Sequence, residues 1–469
     1  MRKLFFVVIS IALLIGFIYS PVAAAAPVSY ESGILVTNLD TVNSGSIILT
    51  FYSPDGSTIA TVDDTIEAGK TNEYYPLPSD VPSGFNGSVV ISSSVPIAST
   101  SNIAGKDANQ NRTYWASYSA FSVGYSQAYL PLLMKNNYGY YTMYYVQNTG
   151  SADVNVNIVY SDGQTNSITG LKPGASIKID QANETHAANT TFSAILTATG
   201  GEIAVAVVEY GNQLFAYSGF GTGSNTPMMP LVNSNNYGYW SSLLVQNVGS
   251  SDTTVTISYE PTKAGTACTE TQLIQAGKAV RFAENAFTYA KAGLDTTCVL
   301  GERFIGTGFV TNNTANQALV VVVNQVNGSA SENKGAAYSA FNPDTGGEKV
   351  ILPIIHDRNY GYWTSWTIVN VGTSPLDPSS ITCTVTGKDK YNNPVSLDFQ
   401  NPSELAPNSG WLEDNINKIA DGFLGGAICQ GPSGSKLVST VNQLGQGSSW
   451  SGIDSLLVYE GISPEGISR

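Results

Sequence analysis

The chain has only two histidines, His186 and His356, and their surroundings limit the acid–base chemistry it could do. A general base needs an orienting partner and a nucleophile within reach. His186 sits in "NETHAANT" and His356 in "PIIHDRNYGY", and neither is near a G-x-S-x-G, H-E-x-x-H or Walker phrase. Both read as solvated loop residues, so no catalytic residue is assigned. "GFGTG" at 219–223 lacks the strand–turn–helix setting of a phosphate loop and reads as a linker. "DANQNR" at 107–112 places Asp107, Asn109 and Asn111 at alternate positions, like the start of a calcium loop. Arg112 and Tyr118 stand where such a loop needs Gly and Glu. No cofactor is required, and calcium stays open only because acidic extracellular modules sometimes hold it. The four cysteines, Cys268, Cys298, Cys383 and Cys429, have no C-x-x-C spacing for zinc. In an exported chain they are expected as disulfides, paired within repeats as Cys268–Cys298 and Cys383–Cys429.

The other chemistry-bearing residues are aromatic, and they recur. "PLLMKNNYGYYTMYYVQNTG" (131–150), "PLVNSNNYGYWSSLLVQNVG" (230–249) and "PIIHDRNYGYWTSWTIVNVG" (353–372) share one frame. From the Tyr before Gly to the Asn of "N-x-G" is ten residues in each: Tyr138 to Asn148, Tyr237 to Asn247, Tyr360 to Asn370. A fixed length across drifting residues indicates one strand of fixed length. Gly139, Gly238 and Gly361 fall where a hairpin turn needs positive φ. Strand side chains alternate faces. Tyr144, Leu243 and Trp366, with Val146, Val245 and Ile368, should face a core. Tyr141, Trp240 and Trp363 fall on the opposite face beside Met143, Ser242 and Ser365, as candidate aromatic contacts. There they pack against the neighbouring module or a loop, or stack on a sugar ring. The packing reading is preferred, with Trp240 expected to reach the preceding module.

The surrounding pattern names the elements. "DVNVNIVY" and "TTVTISY" alternate apolar and polar residues, as half-buried strands do. "LKPGASIKI", "IQAGKAVRF" and "ELAPNSGWL" each give a turn and a strand, and the copies tend to close on "YSAF" or "YSGF". The stretch "GILVTNLDTVNSGSIILTFYSPDG" is a further copy without the "PLL…NYGY" opening. The expected fold is all-β, with four tandem immunoglobulin-like β-sandwich modules at 26–125, 126–224, 225–345 and 346–469. A β-solenoid would need a much shorter repeat. Short linkers such as "GTGSNTP" would join the modules into a rod.

Arg2 and Lys3, an apolar run over 4–19 and Ala23-Ala24-Ala25 read as a signal peptide over 1–25, cleaved near Ala26. An uncleaved anchor is the alternative. No other stretch approaches the length of a membrane span. A net charge of -14 disfavours nucleic acid and anionic lipid as partners. The "LPLLMKNNYGYYTMYYVQNTG" phrase, with "VVVNQVN" and "AYSAF" ahead of the next "LP", resembles tandem-repeat exported proteins of Chloroflexota-type bacteria. That resemblance implies a cell-surface location and immunoglobulin-like or CARDB-like sandwiches, and carries over no catalytic residue. The reading is a non-enzymatic exported cell-surface structural or adhesive protein, or a subunit of an extracellular filament or surface layer. Its partners would be copies of itself or other surface proteins. The alternative is a carbohydrate-binding array that takes polysaccharide at Tyr141, Trp240 and Trp363.

Overall fold

The computed structural model describes residues 26–289, 291–314, 317–329 and 331–467, so the leader expected over 1–25 lies outside the described residues. The strands fall into consecutive blocks. The first holds β1 (Ser29–Asn38), β2 (Gly45–Tyr52), β3 (Thr58–Ile66), β4 (Thr71–Tyr74), β5 (Ser88–Ser93), β6 (Ile97–Lys106) and β7 (Arg112–Ser119). The second holds β8 (Gln127–Lys135), β9 (Tyr141–Asn148), β10 (Val154–Tyr160), β11 (Thr165–Leu171), β12 (Ser176–Asp180), β13 (Thr190–Thr199), β14 (Ile203–Tyr210) and β15 (Leu214–Ser218). The third holds β16 (Met228–Ser234), β17 (Tyr239–Asn247), β18 (Thr253–Ala264), β19 (Cys268–Ile274), β20 (Ala279–Phe282), a π turn at Glu284–Thr288, β21 (Asp295–Thr296), β22 (Phe304–Asn312), β23 (Leu319–Asn327) and β24 (Lys334–Ser339). The fourth holds β25 (Lys349–Asn359), β26 (Tyr362–Asn370), β27 (Thr382–Lys388), β28 (Pro394–Gln400), β29 (Gly410–Asp414), β30 (Phe423–Gln430), β31 (Leu437–Gly445) and β32 (Leu456–Glu460).

The second block shows the plan. Sheet β11-β10-β13-β8 faces sheet β12-β9-β14-β15, and the sixth and seventh strands, β13 and β14, lie in opposite sheets. The third block repeats this with β19-β18-β22-β16 and β20-β17-β23-β24, plus β21 on the edge. In the fourth block β25 and β26 pair around the corner, which merges the two layers into one eight-stranded sheet. The first block has β4-β1-β6-β7 over β3-β2-β5 and, among the described residues, no counterpart of β8. The period-two pattern of β10 is reproduced in its burial, with Val154, Val156, Ile158 and Tyr160 buried between exposed neighbours. Tyr144, Leu243, Trp366, Val146, Val245 and Ile368 are all buried in the sandwich cores.

Two repeated words have specific jobs. The Asn of "N-x-G" is buried and pins the turn after the strand. Asn148 Nδ2 donates to the carbonyls of Ala152 (2.7 Å) and Leu171 (2.8 Å), and its Oδ1 accepts from Gly150 N (2.8 Å). Asn247 and Asn370 make the same three bonds, and Asn38 makes an equivalent set. A buried amide with all of these bonds made accounts for a residue no apolar side chain could replace. The Tyr of the closing tag latches the last strand to the first. Tyr217 Oη donates to Leu132 O (2.8 Å), Tyr338 to Leu231 O (2.7 Å) and Tyr459 to Ile354 O (2.6 Å).

The blocks do not form the expected rod. Their last strands, β7, β15, β24 and β32, pack together around one axis, and β32 returns to β7. Corresponding residues Ser119, Ser218, Ser339 and Glu460 link them in a ring. Ser218 Oγ donates to Ser119 O (2.5 Å) and Ser339 Oγ to Ser218 O (3.0 Å). Glu460 closes the circuit, accepting from Ser339 N (2.8 Å) and from the Ser119 hydroxyl. Only a carboxylate, with two accepting oxygens, can hold both neighbours at once. Asp454 is a second clasp: it accepts from Leu214 N (2.6 Å) and Gly335 N (2.8 Å), while its own N–H donates to Thr113 O (3.1 Å). Apolar contacts fill the seams, as with Ile103, Ala116, Met143 and Val208 between the first two blocks.

Candidate functional site

The "NYGY" corners are tight hairpin turns with two successive residues at positive φ. Gly139, Gly238 and Gly361 have φ of 86°, 88° and 83°. The tyrosine before each, Tyr138, Tyr237 and Tyr360, has φ of 51°. This is the type I′ pattern, which favours Asn or Gly at its first central position. The surroundings of the glycines differ. A Cβ on Gly139 would meet nothing, one on Gly238 would come within 2.9 Å of Asn327 Oδ1, and one on Gly361 within 2.7 Å of Trp450 Nε1. Gly139→Ala should therefore cost about 1 kcal/mol from backbone strain alone, and Gly238→Ala and Gly361→Ala more. Urea unfolding of the three variants checks the order; equal losses would show that the contacts with Asn327 and Trp450 are immaterial.

The three tyrosines are 89%, 81% and 90% exposed, the most open large aromatics among the described residues. Their corners lie at the same end of the hub. Each touches the turn that joins the last two strands of its own block. Tyr140 Oη donates to Gln213 (2.7 Å), Asn327 Nδ2 to Tyr237 O (3.1 Å), and Trp450 Nε1 to Tyr360 O (3.2 Å). These turns in turn meet across the axis, through Asn212 and Asn333 (2.7 Å), Gly452 N and Ser331 O (2.8 Å), and the edge-on rings of Trp115 and Trp450 (5.4 Å). The result is one end face with three projecting phenols. Arg303 lies over the Tyr237 ring at 4.6 Å. Where a fourth corner would stand, the first block has a shallow cleft of about 230 Å³ between Tyr75 and Trp115, with Glu31, Arg112 and Asn102 in its wall. Lys106 and Arg112 hold the Glu31 carboxyl down to about 2, and the Oδ1 of Asn102 is buried without a partner.

The other candidate residues sit apart from this face. Tyr141 stacks on Tyr210 (5.8 Å) and Trp240 meets Tyr289 edge-on (6.3 Å). Both partners belong to the same block as the residue they meet. Trp363 is half-buried, with its Nε1 buried and unpartnered. The disulfides Cys268–Cys298 and Cys383–Cys429 are formed. The second joins residues directly opposite on β27 and β30. Asp107 spends its carboxylate on its own turn, accepting from the N–H groups of Asn109 and Asn111 (both 2.9 Å). Among the described residues no group of three or more His, Cys, Asp or Glu could hold a metal.

His186 corrects the reading of a solvated loop. It is buried, its Nδ1 lies 2.6 Å from Asp162 and its ring stacks on Phe192 at 4.0 Å. His356 lies within β25, not in a loop, and burial holds its pKa down to about 4. His186 meets Asp162, Tyr160 and Phe192, and His356 meets Asn359, Gln443 and Tyr362. Sequence reasoning missed Tyr138, Tyr237 and Tyr360. The available signal was a bulky residue immediately before the turn glycine, at a position that favours Asn or Gly. No protein-family model matches the chain, and no curated protein matches it in sequence.

Proposed function

We propose that the chain is an exported, non-enzymatic surface protein that works as an adhesive or assembly subunit through the end face carrying Tyr138, Tyr237 and Tyr360. One observation carries this reading. A tyrosine in the left-handed region costs on the order of 1 kcal/mol, and these three recover almost nothing by packing. A residue kept three times at a conformational cost and in open solvent is explained by what it meets outside the chain. An exposed phenol offers a flat apolar face and a hydroxyl, which suits protein surfaces and sugar rings alike. The two disulfides and the likeness to exported Chloroflexota-type repeats support a location outside the cell.

The test is a Tyr138→Asn, Tyr237→Asn, Tyr360→Asn triple variant. Asn tolerates the left-handed turn, so Tm should hold or rise while adhesion to cells or assembly of the purified protein is lost. Unchanged adhesion would end this reading. The polysaccharide alternative is favoured by the Tyr75–Trp115 cleft with its unpartnered Asn102 oxygen, more than by Tyr141, Trp240 and Trp363. Retention on a glycan column lost in Trp115→Ala but kept in the tyrosine triple variant would select it.

A further inference from the structure

The seams around the hub repeat one contact, and at one seam that contact is incomplete. Six residues before each block's buried Asn stand Ser32, Thr142, Ser241 and Thr364. Opposite them the pairing strands carry Ile103, Glu209, Gln325 and Gln443. The residue before each of these is Asn102, Val208, Asn324 or Asn442. Across a seam, the first kind of position in one block meets the second kind in the next. Between the first and second blocks the pair is Ile103 and Val208, both apolar. Between the third and fourth it is Gln325 and Asn442, and the two amides bond reciprocally. Gln325 Nε2 donates to Asn442 Oδ1 (3.3 Å) and Asn442 Nδ2 to Gln325 Oε1 (3.0 Å). Between the fourth and first, Gln443 bonds His356 in its own block instead.

Between the second and third blocks the pair is Glu209 and Asn324, and both are buried. Asn324 Nδ2 donates to Glu209 Oε2 at 2.7 Å. The return bond is missing. Glu209 Oε1 and Asn324 Oδ1 are both buried without a partner among the described residues, and two acceptors cannot serve each other. A carboxylic acid has the shape of the Gln amide, with an O–H in place of one N–H. One proton on Oε1 therefore lets Glu209 complete the pair as Gln325 completes its own. The ionisable groups that face Glu209 are Arg281 of β20 and the phenols of Tyr140 and Tyr217. Arg281 is held by Glu284 (2.9 Å), and the phenols donate to Gln213 and to Leu132 O. Burial outweighs both the Asn324 bond and Arg281, and raises the carboxyl to about 8.

We propose that Glu209 is a neutral acid in the closed hub, donating its O–H to Asn324 Oδ1, and that loss of this proton parts the second block from the third. Ionisation removes the donor that Asn324 Oδ1 depends on. It also leaves a charge facing a bare acceptor in a dry seam, which is relieved only when the seam opens and water solvates the carboxylate. The turns at the end face follow, because Asn212, three residues after Glu209, bonds Asn333 across the axis (2.7 Å). The seam between the third and fourth blocks has an amide at the same place and carries no such switch. The chain is thus latched at neutral pH and unlatched by alkali at one chosen joint.

The thiol of a Ser242→Cys variant reports the seam, because Ser242 is buried and lies directly opposite Asn324 on the same face. Its rate of reaction with a thiol reagent, divided by the rate for the unfolded chain at the same pH, gives the open fraction. Between pH 6.5 and pH 9 that fraction should rise about thirtyfold, for a carboxyl at about 8 when closed and about 4.3 when open. Adding Glu209→Gln should abolish the rise, since its amide supplies the missing N–H at every pH. An equal rise in both chains, or none in either, overturns the proposal. Infrared difference spectra give a second reading that does not need the seam to open. At pH 6.5 the carbonyl stretch of a protonated carboxyl should be present in the parent and missing from Glu209→Gln. A difference spectrum that shows an ionised carboxylate instead also overturns it.

Discussion

Asp454→Ala is expected to destabilise the whole chain by about 4 kcal/mol. The Asp454 side chain is fully buried, and its two oxygens receive the N–H groups of Leu214 and Gly335 from two other blocks. Removing the carboxylate leaves two buried donors unpaired, at about 1–3 kcal/mol each. Asp454→Asn should fall in between, since its amide keeps one accepting oxygen and turns an N–H₂ toward a donor. Urea unfolding with intrinsic fluorescence measures both. A loss under 1 kcal/mol for the alanine variant would mean that the apolar seams alone hold the hub together.

The second large effect is on pH. Glu209 is fully buried, and burial pushes its pKa up to about 8, against a partial offset from the Asn324 amide at 2.7 Å. Burial also raises Asp454 and Glu460. An acid whose pKa is higher in the folded state binds more protons folded than unfolded. Its contribution is complete below the unfolded value of about 4.3 and is lost as pH rises through 8. Stability should therefore fall as pH rises from 6.5 through 8 and level off by pH 9, by roughly 2 kcal/mol from Glu209. His356 acts with the opposite sign: its depressed pKa gives stability that is present above about 6.5 and lost as pH falls through 4. The clean window is thus the alkaline one. Tm measured across it should drop in the parent and much less in Glu209→Gln. A parent Tm that stays flat or climbs toward pH 9 contradicts the assignment.

What the sequence made legible was local. The alternating runs, the turn glycines and the within-repeat cysteine pairs each depend on a short-range rule, and β10, the corners and the two disulfides follow those rules. The first copy lacks the "PLL" phrase, and the order of its strands, β4-β1-β6-β7 over β3-β2-β5, needed the pairing partners. The hub was hidden because it depends on residues about 100 positions apart, and its bonds use serine hydroxyls that carry no pattern. Glu460 stands where the other copies have Ser119, Ser218 and Ser339, and nothing local marks it as the acceptor that closes the ring. The rod followed from linker composition, and a short polar linker does not specify the direction in which the next block folds back. The site was missed for a related reason: alternation ranked Tyr141, Trp240 and Trp363 by strand face, while Tyr138, Tyr237 and Tyr360 owe their exposure to a turn.

The ring at Ser119, Ser218, Ser339 and Glu460 also sets a timetable for the molecule. Three of its members are in place early in synthesis, yet the circuit stays open until β32 is delivered. Until then β7 and β24 each have one flank uncovered, and the blocks already made are held only in a row. Closure therefore needs the complete chain: a product that ends before β32 keeps its earlier sandwiches but leaves β7 and β24 each with one flank bare.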